Sequence, residues 1–506
     1  MRAATTIAAG WMMNSRSSLM LLLVLCGAEA FSQSTANVAV LKGLATVTVL
    51  SQTEQGRAAL QANYDVTGAI QTGTTRLPSP LTFEQQQQQA LRDASITWNN
   101  VAQLADGLGS TLGAAYVARA HDDAHGHSLN VSPGTEKLIA YALSLSGNDS
   151  NAGKYLFANL TTNGRHPAPA NLQAIMTTMH GEADPFGRAY HLPAGSPNAD
   201  PFGDSRPFQT LTRTVEISGR DYTNKLSTSV SYQRGPGMDL TESPSYPSGH
   251  TTYGFTGALL LGVLVPDRYP EMIVRGAEYG SSRILVGAHY AMDVLGGRAT
   301  ALYDMAHLLA NDPAYLDRHP ERHPSQHPNR PPDRHSDRHS DRHPNGHSDR
   351  HPNGHSDRHT ADATSIHDFR AAVAVARREL QTVLASNCGD TVQACAGMDI
   401  GRFNDATMNS QAYAATQTYT LPVVFAATAQ TTEDVSRLAP EAGYLLTVAY
   451  PSLTLKQADD LLTATEGPDG GFLDDGSAFG MYSRLNLYEA AVRARAMEAQ
   501  HRVAER

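Results

Sequence analysis

The chain has 506 residues, enough for several domains or for one large helical domain with an inserted linker. Apolar residues make up 41% of it, which excludes a wholly disordered chain, and three cysteines with two tryptophans exclude a disulfide-dense scaffold or a cysteine-rich zinc protein. The 39 basic and 49 acidic residues give a net charge of −10, which argues against binding to nucleic acid but not against a local anion pocket.

The N-terminus has the pattern of an export signal. Two arginines precede the apolar run Leu19–Leu25, and a small-residue cleavage pattern follows at Ala28-Glu29-Ala30. The run is shorter than the ~20 apolar residues that cross a bilayer, so we expect residues 1–30 to be a cleaved signal peptide. The longest later apolar stretch, Gly257–Val265, predicts a buried helix. We therefore expect an exported protein, periplasmic or secreted, with no integral membrane segment after signal cleavage.

The rest of the chain has mainly helical patterning. Apolar residues recur at spacings of three and four, Ala, Gln and Leu are abundant, and β-branched runs are few. This pattern predicts an all-α protein. The predicted helical segments are Phe83–Leu112, Glu136–Leu145, Arg298–Leu309, Phe369–Leu384 and Leu485–Glu498. Leu421–Phe425 is compatible with either a strand or core packing.

Two clusters between these helices suggest phosphate chemistry. In Pro247-Ser248-Gly249-His250, two small residues lie where a loop is predicted to lead into a helix. Small side chains there let the backbone amides at the start of the helix face an anion at close range. Further along, Ser282-Arg283 is followed by His289 and Asp293. Arg283 offers a cationic fork for phosphate-like oxygens. Because His289 and Asp293 are four residues apart, they would share a helix face, so that the carboxylate holds one ring nitrogen and leaves the other as a nucleophile.

Together these motifs resemble the second and third signature motifs of the type 2 phosphatidic acid phosphatase superfamily, which includes class A acid phosphatases and vanadium haloperoxidases. Arg206-Pro207 resembles the end of the first motif. The resemblance implies an all-α bundle of the acid phosphatase and haloperoxidase type. It also implies that His289 attacks phosphorus, Asp293 orients it and His250 acts as general acid. Arg206, Arg283, and the Ser248 and Gly249 backbone would hold the phosphate.

One departure from the family pattern concerns the first motif. The family has Lys seven places before its Arg, and this chain has Ala199 there. We expect another cation to reach the pocket, either Arg188 or Lys225, and favour Arg188. If no other cation does, fewer charges hold the phosphate.

A His-rich repeat separates the motifs from the C-terminal part. From Asp317 to His359 histidine recurs mostly at every fourth position among Asp, Arg, Ser, Pro, Asn and Gly. The segment has almost no apolar residue, so we predict a disordered linker over 317–360. It is either a tandem-expanded spacer, the interpretation we favour, or a site that captures Ni²⁺ or Zn²⁺.

The predicted domain organisation follows from this linker. Residues 31–316 would form a helical phosphatase domain, and residues 361–506 a mainly helical C-terminal extension. Six residues separate Cys388 from Cys395 in this extension, and no competing thiol remains after signal cleavage, so we expect a structural disulfide.

The predicted function is hydrolysis of phosphomonoesters at acidic pH through a phosphohistidine. It would need no metal or other cofactor, and its substrates would be small phosphorylated molecules. The alternatives are a vanadium-dependent haloperoxidase, in which vanadate is the cofactor rather than an inhibitor, a lipid phosphatase, and an exported metal-binding protein that acts through the His-rich repeat.

Overall fold

Helices make up most of the structure, a computed structural model that describes residues 37–94, 100–120, 131–211, 215–233, 239–316, 365–399 and 401–505. These residues fall within one compact unit, Ala36–Arg506. The all-α prediction is therefore confirmed for the described part of the chain. The predicted signal peptide and the His-rich linker with its boundaries lie outside the described residues, so the expectations placed on them stay predictions.

The elements follow one another along the chain as a series of helices interrupted by one small hairpin. The α-helices are α1 Val38–Leu44, α2 Glu54–Gln71, α3 Phe83–Asp93, α4 Ser110–Ala120, α5 Pro133–Asn159, α6 Ala170–Met179, α7 Pro185–Ala189, α8 Pro207–Thr210, α9 Ser229–Gln233, α10 Gly249–Leu264, α11 Tyr269–Leu285, α12 Ala291–Ala310, α13 Pro313–Leu316, α14 Phe369–Cys388, α15 Val392–Gly397, α16 Ala406–Thr418, α17 Val435–Leu438, α18 Tyr444–Thr447, α19 Leu455–Ala464, α20 Ala478–Arg484 and α21 Leu487–Ala504. Short 3₁₀ helices span Ala45–Gln52, Ala102–Leu108, Leu240–Glu242, Pro266–Arg268 and Thr428–Gln430. The antiparallel strands β1 Ser218–Arg220 and β2 Leu226–Thr228 pair with Ser218 opposite Thr228.

Helix α10 occupies the centre of the fold. Every residue from Thr251 to Leu264 is buried, because the helix is apolar on all its faces and cannot present any of them to water. It packs against α5, α11, α12 and α14, and the predicted buried stretch Gly257–Val265 lies almost wholly within it. Helix α11 in turn packs against α3, α16 and α21. Helices from before and after residues 317–364 thus share one core.

Several predicted helices have different limits in the structure. The segment Phe83–Leu112 is not one helix: α3 ends at Asp93, and a 3₁₀ helix that follows Val101, at a positive φ of 44°, precedes α4. Helix α5 continues fourteen residues beyond Leu145, to Asn159, through a polar, glycine-containing stretch. Leu421–Phe425 forms no strand; the Val424 and Phe425 amides donate to the Gly470 carbonyl. Cys388 and Cys395 form the expected disulfide.

The described residues include no helix that combines the length and the hydrophobicity needed to cross a membrane.

Candidate active site

The third motif forms a tight turn between α11 and α12. Gly287, with a φ of 75°, lies just after the end of α11, where a left-handed residue is favourable only without a side chain. The chain then reverses, and α12 begins at Ala291. His289 therefore lies before the helix, not on it, which corrects the expectation that His289 and Asp293 share a helix face. They meet because Asp293, in the first turn of α12, reaches back to the ring.

The hydrogen bonds of His289 define its tautomer. Its Nε2 lies 3.1 Å from Arg206 Nη1, and a guanidinium nitrogen can only donate, so Nε2 accepts. Nδ1 then carries the proton and donates to Asp293 Oδ2 at 3.3 Å. The same carboxylate oxygen accepts from the Tyr290 amide at 2.8 Å and from the Ser245 hydroxyl. Both side chains are fully buried, so the ring is held with its Nε2 lone pair directed at Arg206 rather than at Asp293.

The second motif places the start of α10 beside this histidine. Ser248 is the N-cap of α10, and its hydroxyl accepts from the Thr251 amide at 3.0 Å. Its own amide donates to the Asp293 carbonyl at 2.9 Å, which ties the second motif to the third. The next amides, those of Gly249 and His250, open the first helical turn, where backbone N–H groups lack intrahelical partners and favour an anion. An anion here would thus meet the Gly249 and His250 amides rather than the Ser248 amide.

Two buried guanidinium groups flank the histidine. Arg206 directs its five N–H groups to neutral acceptors, which are the carbonyl oxygens of Leu240, Ser243, Pro244 and Ala288, the Ser243 hydroxyl, and His289 Nε2. Arg283, near the end of α11, donates to the Ala90 carbonyl at 3.4 Å and lies over the Tyr279 ring, and its Nε has no hydrogen-bond partner among the described residues. Neither arginine forms an ion pair with a carboxylate in the described part of the chain.

Asp93 of α3 fixes the part of α11 that carries Arg283, through a hydrogen bond and a buried ion pair. Asp93, the last residue of α3, accepts from the hydroxyl of Ser282, the neighbour of Arg283, at 2.8 Å. Asp93 also pairs with Arg275 of α11, and both side chains are fully buried. The position of Arg283 therefore depends on the packing of α3 against α11, which the motif itself does not contain.

His250 lies across from the nucleophile candidate. Its Nδ1 is 3.2 Å from His289 Nε2, and the two ring centroids are 5.5 Å apart. Arg206 Nη1 and His250 Nδ1 thus converge on the same nitrogen of His289. The two imidazoles and two guanidinium groups that the motifs predicted together are brought into one cluster.

The electrostatics of the cluster follow from burial among cations. Burial, with Arg283, Arg206 and Lys154 nearby, holds the pKa of His250 well below its usual value. The pKa of His289 is also well below its usual value, through burial, Arg206 and Lys154. Burial raises the pKa of Asp293 to about 6, although its hydrogen bonds from Ser245 and Tyr290 oppose this. Burial among cations therefore disfavours the protonated form of both histidines.

The cations proposed to replace the first-motif lysine lie elsewhere. The Arg188 side chain is 63% exposed and pairs with Glu182, and Lys225 is exposed in the turn between β1 and β2. The structure brings neither into the cluster, because Arg188 lies on the exposed side of the short helix α7 and Lys225 lies in a surface turn. The third cation of the cluster is Lys154 of α5, which is 5% exposed. A lysine on the buried face of a helix is unusual enough to mark a candidate functional residue, but the predicted helix ends at Leu145, nine residues before Lys154.

Comparisons with known proteins agree with this geometry. Residues 200–310 match the model of the PAP2 superfamily. A non-specific acid phosphatase of Salmonella typhimurium is 45% identical over 69 residues, which are 14% of this chain and 28% of that protein. An acid phosphatase of Zymomonas mobilis is 45% identical over 69 residues (14% and 26%), and a non-specific acid phosphatase of Providencia stuartii is 39% identical over 72 residues (14% and 29%). The chain thus spans less than a third of the length of these relatives.

Residues 200–310, the PAP2 segment, contain all of the motif residues but not every cation of the cluster. Arg206, His250, Arg283 and His289 lie inside residues 200–310. Lys154 lies 46 residues before that segment and reaches the site through the packing of α5. In the described residues, no three His, Cys, Asp or Glu side chains are grouped so that they could hold a metal ion.

Proposed function

We propose that the protein is an exported phosphatase that hydrolyses phosphomonoesters through a phosphohistidine at His289. One observation carries the proposal: Arg206 and Arg283 are buried around a buried histidine, and neither has a carboxylate partner among the described residues. Buried charges are normally paired, so this arrangement indicates an anion that the site is built to receive. The relatives that match the PAP2 segment are named acid phosphatases, which agrees with a phosphate ester as that anion.

The substrate phosphate would enter between the two arginines and the first turn of α10. Arg206 Nη1 and His250 Nδ1 now meet His289 Nε2, the atom that must approach phosphorus. The Arg206 N–H is proposed to turn from Nε2 to a phosphoryl oxygen, which frees the lone pair. The guanidinium groups and the helix amides then stabilise the charge that spreads over the equatorial oxygens in the transition state.

The chemistry proceeds in two displacements. His289 Nε2 forms a bond to phosphorus as the ester P–O bond breaks, and His250 gives a proton to the leaving alkoxide. The ring of His289 becomes positively charged in this step, and Asp293 stabilises it through the Nδ1–H bond. Water then attacks phosphorus, the P–N bond breaks, and His250 takes the proton of the water. The cationic side chains neutralise the phosphate, so we expect full activity after treatment with a chelator.

Trapping the covalent intermediate tests the proposal. With a ³²P-labelled phosphomonoester and rapid quenching, the wild type should retain protein-bound label that is stable in alkali and lost in acid, as a phosphoramidate is. His289→Ala should show neither label nor turnover. His166→Ala, at an exposed position outside the cluster, is the matched control and should behave like the wild type. A His289→Ala protein with near-normal turnover would refute the assignment.

A panel of phosphomonoesters, phosphoanhydrides and lipid phosphates defines the substrate class. We expect small phosphomonoesters to be hydrolysed best. Vanadate, which adopts the five-coordinate geometry of the transferring phosphorus, should inhibit in competition with them. Halide oxidation by peroxide that depends on vanadate would instead identify a haloperoxidase.

A further inference from the structure

The packing of α5 holds Lys154 next to the first turn of α10, where the phosphate is proposed to bind. Its Nζ donates to the Pro244 carbonyl at 2.9 Å and to the Ser245 carbonyl at 3.4 Å. A β-carbon placed on Gly249 would lie 3.5 Å from Lys154 Cε, so the side chain runs past the first residue of α10. An ammonium group has three donors. Two are used by these carbonyls, and the third is available to a ligand.

The close approach of α5 to the second motif depends on Gly153, a second small residue in addition to Gly249. A β-carbon on Gly153 would lie 3.2 Å from Pro247 Cδ, closer than nine in ten ordinary contacts. Gly153 therefore lets α5 lie directly against the second motif, and the neighbouring Lys154 is carried to the side of Gly249. The polar stretch of α5 between Ser146 and Gly153 is helical because of this packing, although its composition does not favour a helix.

The charged groups around Lys154 do not neutralise the positive charge of its ammonium group. It forms no ion pair with a carboxylate among the described residues, and Arg206 lies near enough to repel it. Burial, then Arg206, lowers the pKa of Lys154 to about 7, against the smaller opposing effects of Asp293, Asp204 and Asp200. Two of these acids do not supply a full negative charge at mildly acidic pH. Burial raises the pKa of Asp200 to about 7 and the pKa of Asp204 well above its usual value.

We propose that Lys154 is a catalytic residue that binds the transferring phosphoryl group, and that it supplies from α5 the cation absent at Ala199. This inference rests on the proposed phosphatase function. A phosphate dianion in the site compensates Lys154, Arg206 and Arg283 together, and the third ammonium proton donates to one of its oxygens. The cation thus comes from a helix outside the PAP2 segment, which explains why the first motif can lack it.

Substituting Lys154 with methionine tests the inference. Methionine has a similar length and no charge, and Arg188→Met makes the same change at the exposed arginine as a matched control. Binding of inorganic phosphate is measured at pH 6 by inhibition of turnover and by the rise in melting temperature that phosphate produces. We expect Lys154→Met to bind phosphate about 10- to 100-fold more weakly, the range for a hydrogen bond to a charged group, and Arg188→Met to bind it as the wild type does.

The ligand-free melting temperature separates contact with phosphate from a structural role. If Lys154 only supports the loop at Pro244 and Ser245, Lys154→Met should melt lower without phosphate but keep the full phosphate-induced rise, which would overturn the inference. If Lys154 binds phosphate, that rise should nearly disappear. Should Lys154→Met not fold, Lys154→Gln retains a donor for the Pro244 carbonyl without the charge, and the same loss of phosphate affinity is expected.

The two proposals can fail separately. Wild-type protein that neither hydrolyses phosphomonoesters nor binds phosphate overturns both. Wild-type protein that does both, together with a Lys154 variant whose phosphate affinity stays within about twofold of it, overturns only the role of Lys154.

Discussion

Asp293→Asn removes one charge from the site and little else. Oδ2 of Asp293 accepts three hydrogen bonds, whereas Oδ1 has no partner among the described residues. An asparagine can therefore place its oxygen at Oδ2 and its amide nitrogen at Oδ1. At 3.3 Å and an effective dielectric constant of about 20, a unit charge on His289 and the Asp293 carboxylate attract by about 5 kcal/mol. With half to all of that charge developed in the transition state, the expected loss in kcat is about 10²- to 10⁴-fold.

The stability of the same variant should change in the opposite direction. The pKa of Asp293 in the folded protein is raised, to about 6 from 3.8, so the folded state favours the protonated acid. Its ionisation therefore costs stability progressively as the pH rises from about 4 to about 6, and the cost is constant above that. By the pKa difference it amounts to about 3 kcal/mol at pH 7. Asparagine resembles the protonated acid, so the variant should be at least as stable as the wild type at pH 7, with no gain at pH 4.

Turnover and urea denaturation, measured on the same preparations at pH 4 and pH 7, check both effects. A variant with less than a tenfold loss of kcat would show that the carboxylate does not stabilise a charged ring. A variant that loses activity and stability in proportion would show that Asp293 has only a structural role.

The other predictions concern packing, the buried ion pair and pH. Gly297→Ala would place a β-carbon 2.4 Å from the Ser248 carbonyl oxygen and should cost about 1–3 kcal/mol in unfolding free energy, measured by denaturant titration; unchanged stability would contradict the close contact between α10 and α12. Asp93→Ala would leave a buried guanidinium with one carboxylate partner fewer and should cost about 3–5 kcal/mol, seen as a lower melting temperature and a weaker phosphate affinity. The profile of kcat/KM against pH should peak at acidic pH. On the acidic side, activity is lost as the Asp293 carboxylate becomes protonated when the pH falls through about 6. On the alkaline side, activity is lost as His250 gives up its proton, and the pKa of His250 is held well below its usual value. His250→Asn should lose the alkaline limb of that profile, and an optimum above pH 7 in the wild type would refute these roles.

The helical class and the local form of each motif could be predicted because both depend on near neighbours in the chain. Ser248 caps α10 through an amide three residues away, and Gly287 follows α11 where a positive φ is needed. The relation of His289 to Asp293 was predicted with the wrong local geometry. A four-residue spacing fits a helix, but it fits equally a turn followed by the first helical residues.

The third cation could not be chosen from the sequence. Arg188 and Lys225 lie near the first motif in sequence, but both are exposed. Lys154 lies 90 residues before the Pro244 carbonyl to which it donates. Sequence distance gives no measure of such a contact, since it arises only when α5 packs against the second motif.

The helical class, the start of α10 and the chemical groups of the motifs can be read from the amino-acid sequence. The reason is that capping, turn geometry and apolar periodicity act over a few residues. The packing of the helices sets which groups share one pocket, why Lys154 lies among them while Arg188 does not, and the direction in which their pKa values shift. These properties depend on burial and on charges brought together from distant segments, so they exist only once α3, α5 and α11 have packed around α10.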